Sequence, residues 1–238
     1  MRSPIRFVTS RDFLPVHTFP HDARAFGSKR FLEAAKAWFE SSFGGGSVAL
    51  EMARDGLAVS WTPPEGTLDP VEYAVSLLQR GQAPLAVPML RGLVADRPDD
   101  LVVLYNLGMA ESDLGRLDEA VSHLSALLER EPAHVNGRVA LGVAHARAGR
   151  IEEAIATLKR AVEAAPENPW ARRNLAALLG KAGRQEEAAS HLREAVRLLP
   201  GDQQSLYGLA HTLVALGGAD RISEADHLFH RAIEADPD

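Results

Sequence analysis

The sequence predicts a mainly α-helical protein, a stack of five helix pairs preceded by a small β-α-β-β unit. Three observations carry that expectation. Pro98, Pro132, Pro166, Pro200 and Pro237 recur at intervals of 34, 34, 34 and 37 residues. Ahead of each, the same order of apolar, small and glycine positions returns. Residues 1–66 lack this order and hold short runs of alternating apolar and polar residues. A period of this size means that one supersecondary unit is copied, and each copy buries its apolar faces only against its neighbours.

The second unit reads Leu104, Leu107-Gly108, Leu114-Gly115-Arg116, Ala120, Leu124, Leu127, Pro132. The third repeats it as Leu141-Gly142, Ala148-Gly149-Arg150, Ala154, Leu158, Ala161, Pro166. The fourth gives Leu175-Ala176, Ala182-Gly183-Arg184, Ala188, Leu192, Ala195, Pro200. In the fifth, three extra residues, Gly218-Ala219-Asp220, widen the turn between Leu216-Gly217 and Ala225. Each position has a physical reason. Gly115, Gly149, Gly183 and Gly217 sit where a first helix ends in a left-handed residue. The carboxylate pairs Asp118-Glu119, Glu152-Glu153 and Glu186-Glu187 suit the first turn of a second helix. Gly108, Gly142 and Ala176 are small, which predicts close approach to Ala120, Ala154 and Ala188 on the partner helix. The prolines stop the second helix.

This pattern resembles the tetratricopeptide repeat family over residues 67–238, with repeats at 67–100, 101–134, 135–168, 169–202 and 203–238. The resemblance implies a right-handed superhelix of antiparallel helix pairs, whose concave groove is lined mainly by the first helix of each pair. The ends depart from the pattern. In the looser first unit, Pro70 and Pro84 fit helix starts, and Pro88 falls one turn into the second helix, where it removes a hydrogen bond. At the other end, Leu228, Phe229, Ala232 and Ile233 have no following helix to cover them. The sequence therefore suggests either continuation beyond Asp238 or burial of this end in an oligomer.

Residues 1–66 form the second region and match no family. Ile5–Thr9 reads as a strand, and Ser28–Phe43 as a helix with Phe31, Leu32, Ala35, Trp38 and Phe39 on one face, stopped by Gly44-Gly45-Gly46. Val48, Leu50 and Met52, then Leu57, Val59 and Trp61, alternate about an Asp55-Gly56 turn, a hairpin signal. Thr62-Pro63-Pro64-Glu65-Gly66 is the linker. So little secondary structure is expected to dock on the first repeat and cap it.

Composition narrows the function. A chain with no Cys has no disulfide, thiol nucleophile or Cys-ligated zinc. The net charge of −6 argues against a general nucleic-acid binder. No apolar run reaches a membrane span and no secretory h-region opens the chain, so the expected place is cytoplasmic. Gly44-Gly45-Gly46-Ser47 follows a helix, unlike a phosphate loop. His17 and His21 flank an extended Phe19-Pro20, and His227 and His230 with Asp226 lack converging partners, so no metal is expected. No catalytic motif is found, which predicts a non-enzyme without cofactor.

The resemblance then places the functional surface in the groove. Its positions in this chain include Tyr105, Met109, Asp113, Val139, Val143, Arg147, Trp170, Arg173, Lys181, Tyr207 and His211. Arg147, Arg173 and Lys181 make the middle basic on an array whose net charge is −7, which suggests an acidic or carboxylate-ended ligand. Trp170 and Tyr207 suit interface anchors. Asn106 and Asn174 match the family's common Asn, but the basic partners of a chaperone-tail clamp are missing. The expected function is a protein-interaction scaffold holding a partner's peptide or helix. The alternatives are the regulatory or targeting region of a larger enzyme, such as a transferase, and a self-assembling scaffold joined through its last repeat.

Overall fold

The computed structural model describes residues 4–54, 56–64 and 69–235. Asp55, Glu65, Gly66, Pro237 and Asp238 lie outside the described residues. The chain divides into two compact units, Met1–Glu111 and Ser112–Asp238.

The first unit begins with β1 (Ile5–Ser10), three 3-10 turns (Arg11–Phe13, Val16–Thr18, His21–Ala23) and α1 (Lys29–Ser42). It continues with β2 (Ser47–Ala53), β3 (Gly56–Thr62), α2 (Pro70–Gln79), α3 (Ala83–Asp96) and most of α4 (Leu101–Asp113). The predicted β-α-β-β order is therefore present; the three short turns are an addition that alternation does not signal. The sheet has the order β1-β3-β2, antiparallel throughout. Strand alternation points Ile5, Phe7, Val48, Val59 and Trp61 inward. The Ser28 hydroxyl accepts from the Phe31 amide at 3.1 Å and starts α1, whose Phe31, Ala35 and Phe39 are buried.

Aromatic rings carry this core into the first helix pair. Phe43 and Trp61 lie 4.9 Å apart, and Trp61 and Tyr73 of α2 lie 4.8 Å apart. The Trp61 indole donates to the Gly45 carbonyl at 2.9 Å, satisfying its one polar atom. β1 runs so close to α3 that a β-carbon at Gly92 would stand 1.9 Å from the Arg6 carbonyl oxygen. One continuous core thus reaches from Ile5 to Ala110. Pro88 lies inside α3, which continues through it to Asp96. On α4, Glu111 is fully buried and accepts two hydrogen bonds from Arg91, at 2.9 and 2.7 Å.

The second unit is a run of antiparallel helices: α5 (Leu117–Arg130), α6 (Val135–Arg147), α7 (Ile151–Ala164), α8 (Pro169–Lys181), α9 (Gln185–Leu198), α10 (Gln203–Leu216) and α11 (Ala219–Ala235). Gly115, Gly149 and Gly183 each adopt φ near +76°, the left-handed turn that the sequence demands. A second periodic device starts the first helices. Two residues after each inner proline, a side chain caps the helix. Asp100 accepts from Val103 at 3.2 Å, His134 from Gly137 at 2.8 Å, Asn168 from Ala171 at 2.9 Å, and Asp202 from Ser205 at 3.0 Å.

The small-residue reading needs one adjustment. A β-carbon at Gly142 would stand 2.6 Å from Leu158, so this glycine makes room for the leucine rather than for Ala154. At the last pair, Leu228 and Ala232 are buried, because both face α10; only Phe229, half-buried, and Ile233 remain open. Among the described residues no helix is long and apolar enough to cross a membrane.

Candidate functional site

The nominated side chains fall on first helices in both compact units. In the first unit, α4 presents Met109 at its surface and holds Tyr105 half-buried, where burial pushes the phenol pKa up. In the second unit, α6, α8 and α10 carry the rest of the ladder, with Asp113 just ahead of them. Val139 and Val143 are half-buried, whereas Arg147, Lys181 and His211 are exposed. The two aromatics are exposed, Trp170 at 51% and Tyr207 at 57%. Asn174 donates to the Trp170 carbonyl at 2.9 Å, and Asn106 donates in the same way to Val102 at 2.8 Å. Both amides are therefore engaged on their own helix.

The geometry changes the electrostatic picture of the basic trio. Arg147 donates to Asp113 at 2.9 Å, and Arg173 grips both oxygens of Asp202 at 2.8 and 3.0 Å. Burial alone raises the Asp202 carboxyl pKa, but hydrogen bonds from Ser205 and Arg173 outweigh it and hold the group below its usual range. Two of the three cations are thus answered within the protein. Lys181 makes no ion pair among the described residues.

Tyr207 meets Phe229 of α11 edge-on at 5.5 Å between ring centroids and lies 6.3 Å from His211. Around it, α8, α10 and α11 enclose an open cavity of about 720 Å³. Ala177, Tyr207, Phe229, Ala232 and Ile233 supply its apolar wall, and Arg173, Asn174, Gln203 and Gln204 its polar rim. Sequence reasoning named Arg173 and Tyr207 but placed no second-helix residue in the groove. The missed signal is the repeat register, which sets Phe229 and Ile233 one unit after Leu192 and Val196.

No group of three or more His, Asp or Glu side chains could hold a metal ion among the described residues. Arg24 occupies the carbonyls of His17 and Phe19, at 3.0 Å each. The second histidine pair lies along α11, with the His230 ring donating from Nδ1 to the Asp226 carbonyl, 2.8 Å away.

Stacked helix pairs on a 34-residue period, with a ladder of first-helix side chains, define a helical-repeat protein. A family model described as tetratricopeptide repeat matches residues 73–121 and 105–169, and a second of that description matches 169–194. The chain belongs to the tetratricopeptide repeat family. No match is found among curated protein sequences. Solved structures share the fold at low identity. MamA from Desulfovibrio magneticus RS-1 is 22% identical with a TM-score of 0.60, covering 71% of this chain and 97% of its own. The protein TTC0263 of Thermus thermophilus is also 22% identical, with a TM-score of 0.60 and coverages of 71% and 90%. YrrB, described as having an unusual peptide-binding site, is 19% identical, with a TM-score of 0.55 and coverages of 71% and 86%.

Proposed function

We propose that this protein is a non-enzymatic scaffold that holds a peptide or helix of another protein along α6, α8 and α10, with an apolar anchor in the cavity beside Tyr207. The observation that carries this reading is that cavity, whose wall is apolar and whose rim is mostly amide. Such a site buries an apolar side chain while Asn174, Gln203 and Gln204 hydrogen-bond a peptide backbone. Exposed Trp170, one turn before Asn174, offers a second anchor. The peptide-binding site named for YrrB, a protein of the same fold, is consistent with this use.

The ligand's charge follows from the ion pairs. Since Arg147 and Arg173 are neutralised, Lys181 supplies the attraction for an acidic residue, and apolar contact supplies the larger share of affinity. Affinity capture from native lysate tests the reading. A partner held by the wild-type chain should be lost on Tyr207→Ala or Trp170→Ala and weakened several-fold by Lys181→Glu. Capture unchanged by both aromatic substitutions rejects the groove as the seat.

A further inference from the structure

The stacking that builds the second unit also specifies what fits its last pair. In the second unit each inner second helix packs against the next first helix. A β-carbon on Gly137 of α6 would stand 2.5 Å from a Leu127 methyl of α5. One on Gly208 of α10 would stand 3.3 Å from a Leu192 methyl of α9. The covering helix sets a slim residue on its neighbour, and the two surfaces close together. Val196 of α9 is consequently 9% exposed, whereas Ile233, at the same place on α11, is 66% exposed.

Ile222, Phe229 and Ile233 lie on one stripe of α11, at i, i+7 and i+11. Tyr207 and Val214 extend this stripe onto α10, and four of these five side chains are exposed. One residue within the stripe sets the sign of its complement. Asp226 is exposed between Ile222 and Phe229, at the position that Val121, Ile155 and Ala189 hold in earlier units. A carboxylate inside an apolar contact is tolerated when a cation meets it. Two of the covering helices already in the second unit, α6 and α8, have that character, while α10 carries no Lys, Arg, Asp or Glu. α6 carries Arg138 and Arg147, α8 carries Arg172, Arg173 and Lys181, and neither contains Asp or Glu. α11, in contrast, sets Asp220, Glu224, Asp226 and Glu234 against Arg221 and Arg231.

We infer that the open face of α10 and α11 docks an amphipathic, net-basic α-helix of another polypeptide, in the place a further first helix would hold. Its small residue lies over Ala232, its apolar side chains meet Tyr207, Phe229 and Ile233, and a Lys or Arg reaches Asp226. This goes beyond the groove reading. Ile222 and Asp226 belong to this face alone, whereas Tyr207, Phe229, Ala232 and Ile233 also line the cavity of the groove.

The probe is a fluorescein-labelled, helix-stapled peptide copying residues 168–183, titrated with the full chain and followed by anisotropy. Saturable binding is expected, weakened about tenfold or more by Ile233→Asp and by Asp226→Lys in the protein. Both positions are exposed, so circular dichroism should show both variants folded. Lys181→Glu and Trp170→Ala in the protein should leave peptide binding within about twofold, which separates this site from the groove. Absence of saturable binding, or binding that survives Ile233→Asp, overturns the inference. Sedimentation without peptide adds a further decisive arm. A wild-type dimer made monomeric by Ile233→Asp would assign the face to a second copy and overturn the basic-helix occupant.

Discussion

Two histidines of the second unit sit where a charge is unwelcome. His145 on α6 and His191 on α9 each bury a ring Nδ1 that has no hydrogen-bond partner. Burial lowers both pKa values, and nearby Arg150 for His145 and Arg172 for His191 lower them further. The folded protein therefore prefers the neutral ring. Below the ordinary histidine pKa of about 6.5, the unfolded chain binds protons that the folded one refuses, so stability falls as pH drops through this window. His230 titrates in the opposite sense, its pKa raised by the Asp226 carbonyl and carboxylate, but it is exposed and contributes little. The lowered carboxyls of Asp202, Glu187 and Glu194 act only at more acidic pH. Melting temperatures measured at about pH 7.5 and 5.5 should fall more for the wild type than for a His145→Gln, His191→Gln variant. Equal falls would show that the two rings carry no proton linkage.

Helix ends are where the sequence was most readable and also where one regularity was passed over. The glycine turns, the closing prolines and the five helix pairs follow from local chemistry, which is why residue spacing announces them. The capping position did not stand out, because Asp100, His134, Asn168 and Asp202 are four residues of three types. They share a geometry, an acceptor placed over the first free amides, and composition hides it. His134 is the weakest of these caps, since an imidazole nitrogen accepts only in one tautomer. His134→Asp should extend the pattern of its neighbours and stabilise α6 by about 0.5–1 kcal/mol. A chemical denaturation midpoint that stays the same or falls would contradict this. The candidate site was legible in its first-helix half for the same reason. Arg173, Tyr207 and Trp170 could be placed by register, whereas the pairing of Arg173 with Asp202 joins residues 29 apart and depends on how two helices pack. Phe229 and Ile233 entered the cavity by that same packing.

On the scale of the whole chain, the two compact units have cores that share no residue. One gathers Ile5 through Ala110 about the aromatic cluster, and the other gathers Ala154 through Ala232 about the helix pairs. In a repeat stack, stability is close to a sum of unit and neighbour contributions, so damage to one end need not be felt at the other. The tryptophans allow a direct measurement, because Trp38 and Trp61 lie in the first unit and Trp170 in the second. In a Trp170→Phe background, fluorescence reports the first unit while far-ultraviolet circular dichroism is dominated by helices of both. Leu192 is buried on α9 and packs beside Gly208 of α10, so Leu192→Ala should cost the second unit about 2–5 kcal/mol. In urea, the circular dichroism transition should then broaden or separate towards lower concentration, while the fluorescence midpoint holds. Departure from coincident probes is the established sign of more than one cooperative block. If both transitions move together by the same amount, the chain unfolds as one block, and the aromatic core around Trp61 draws its stability from the repeats as far away as α9.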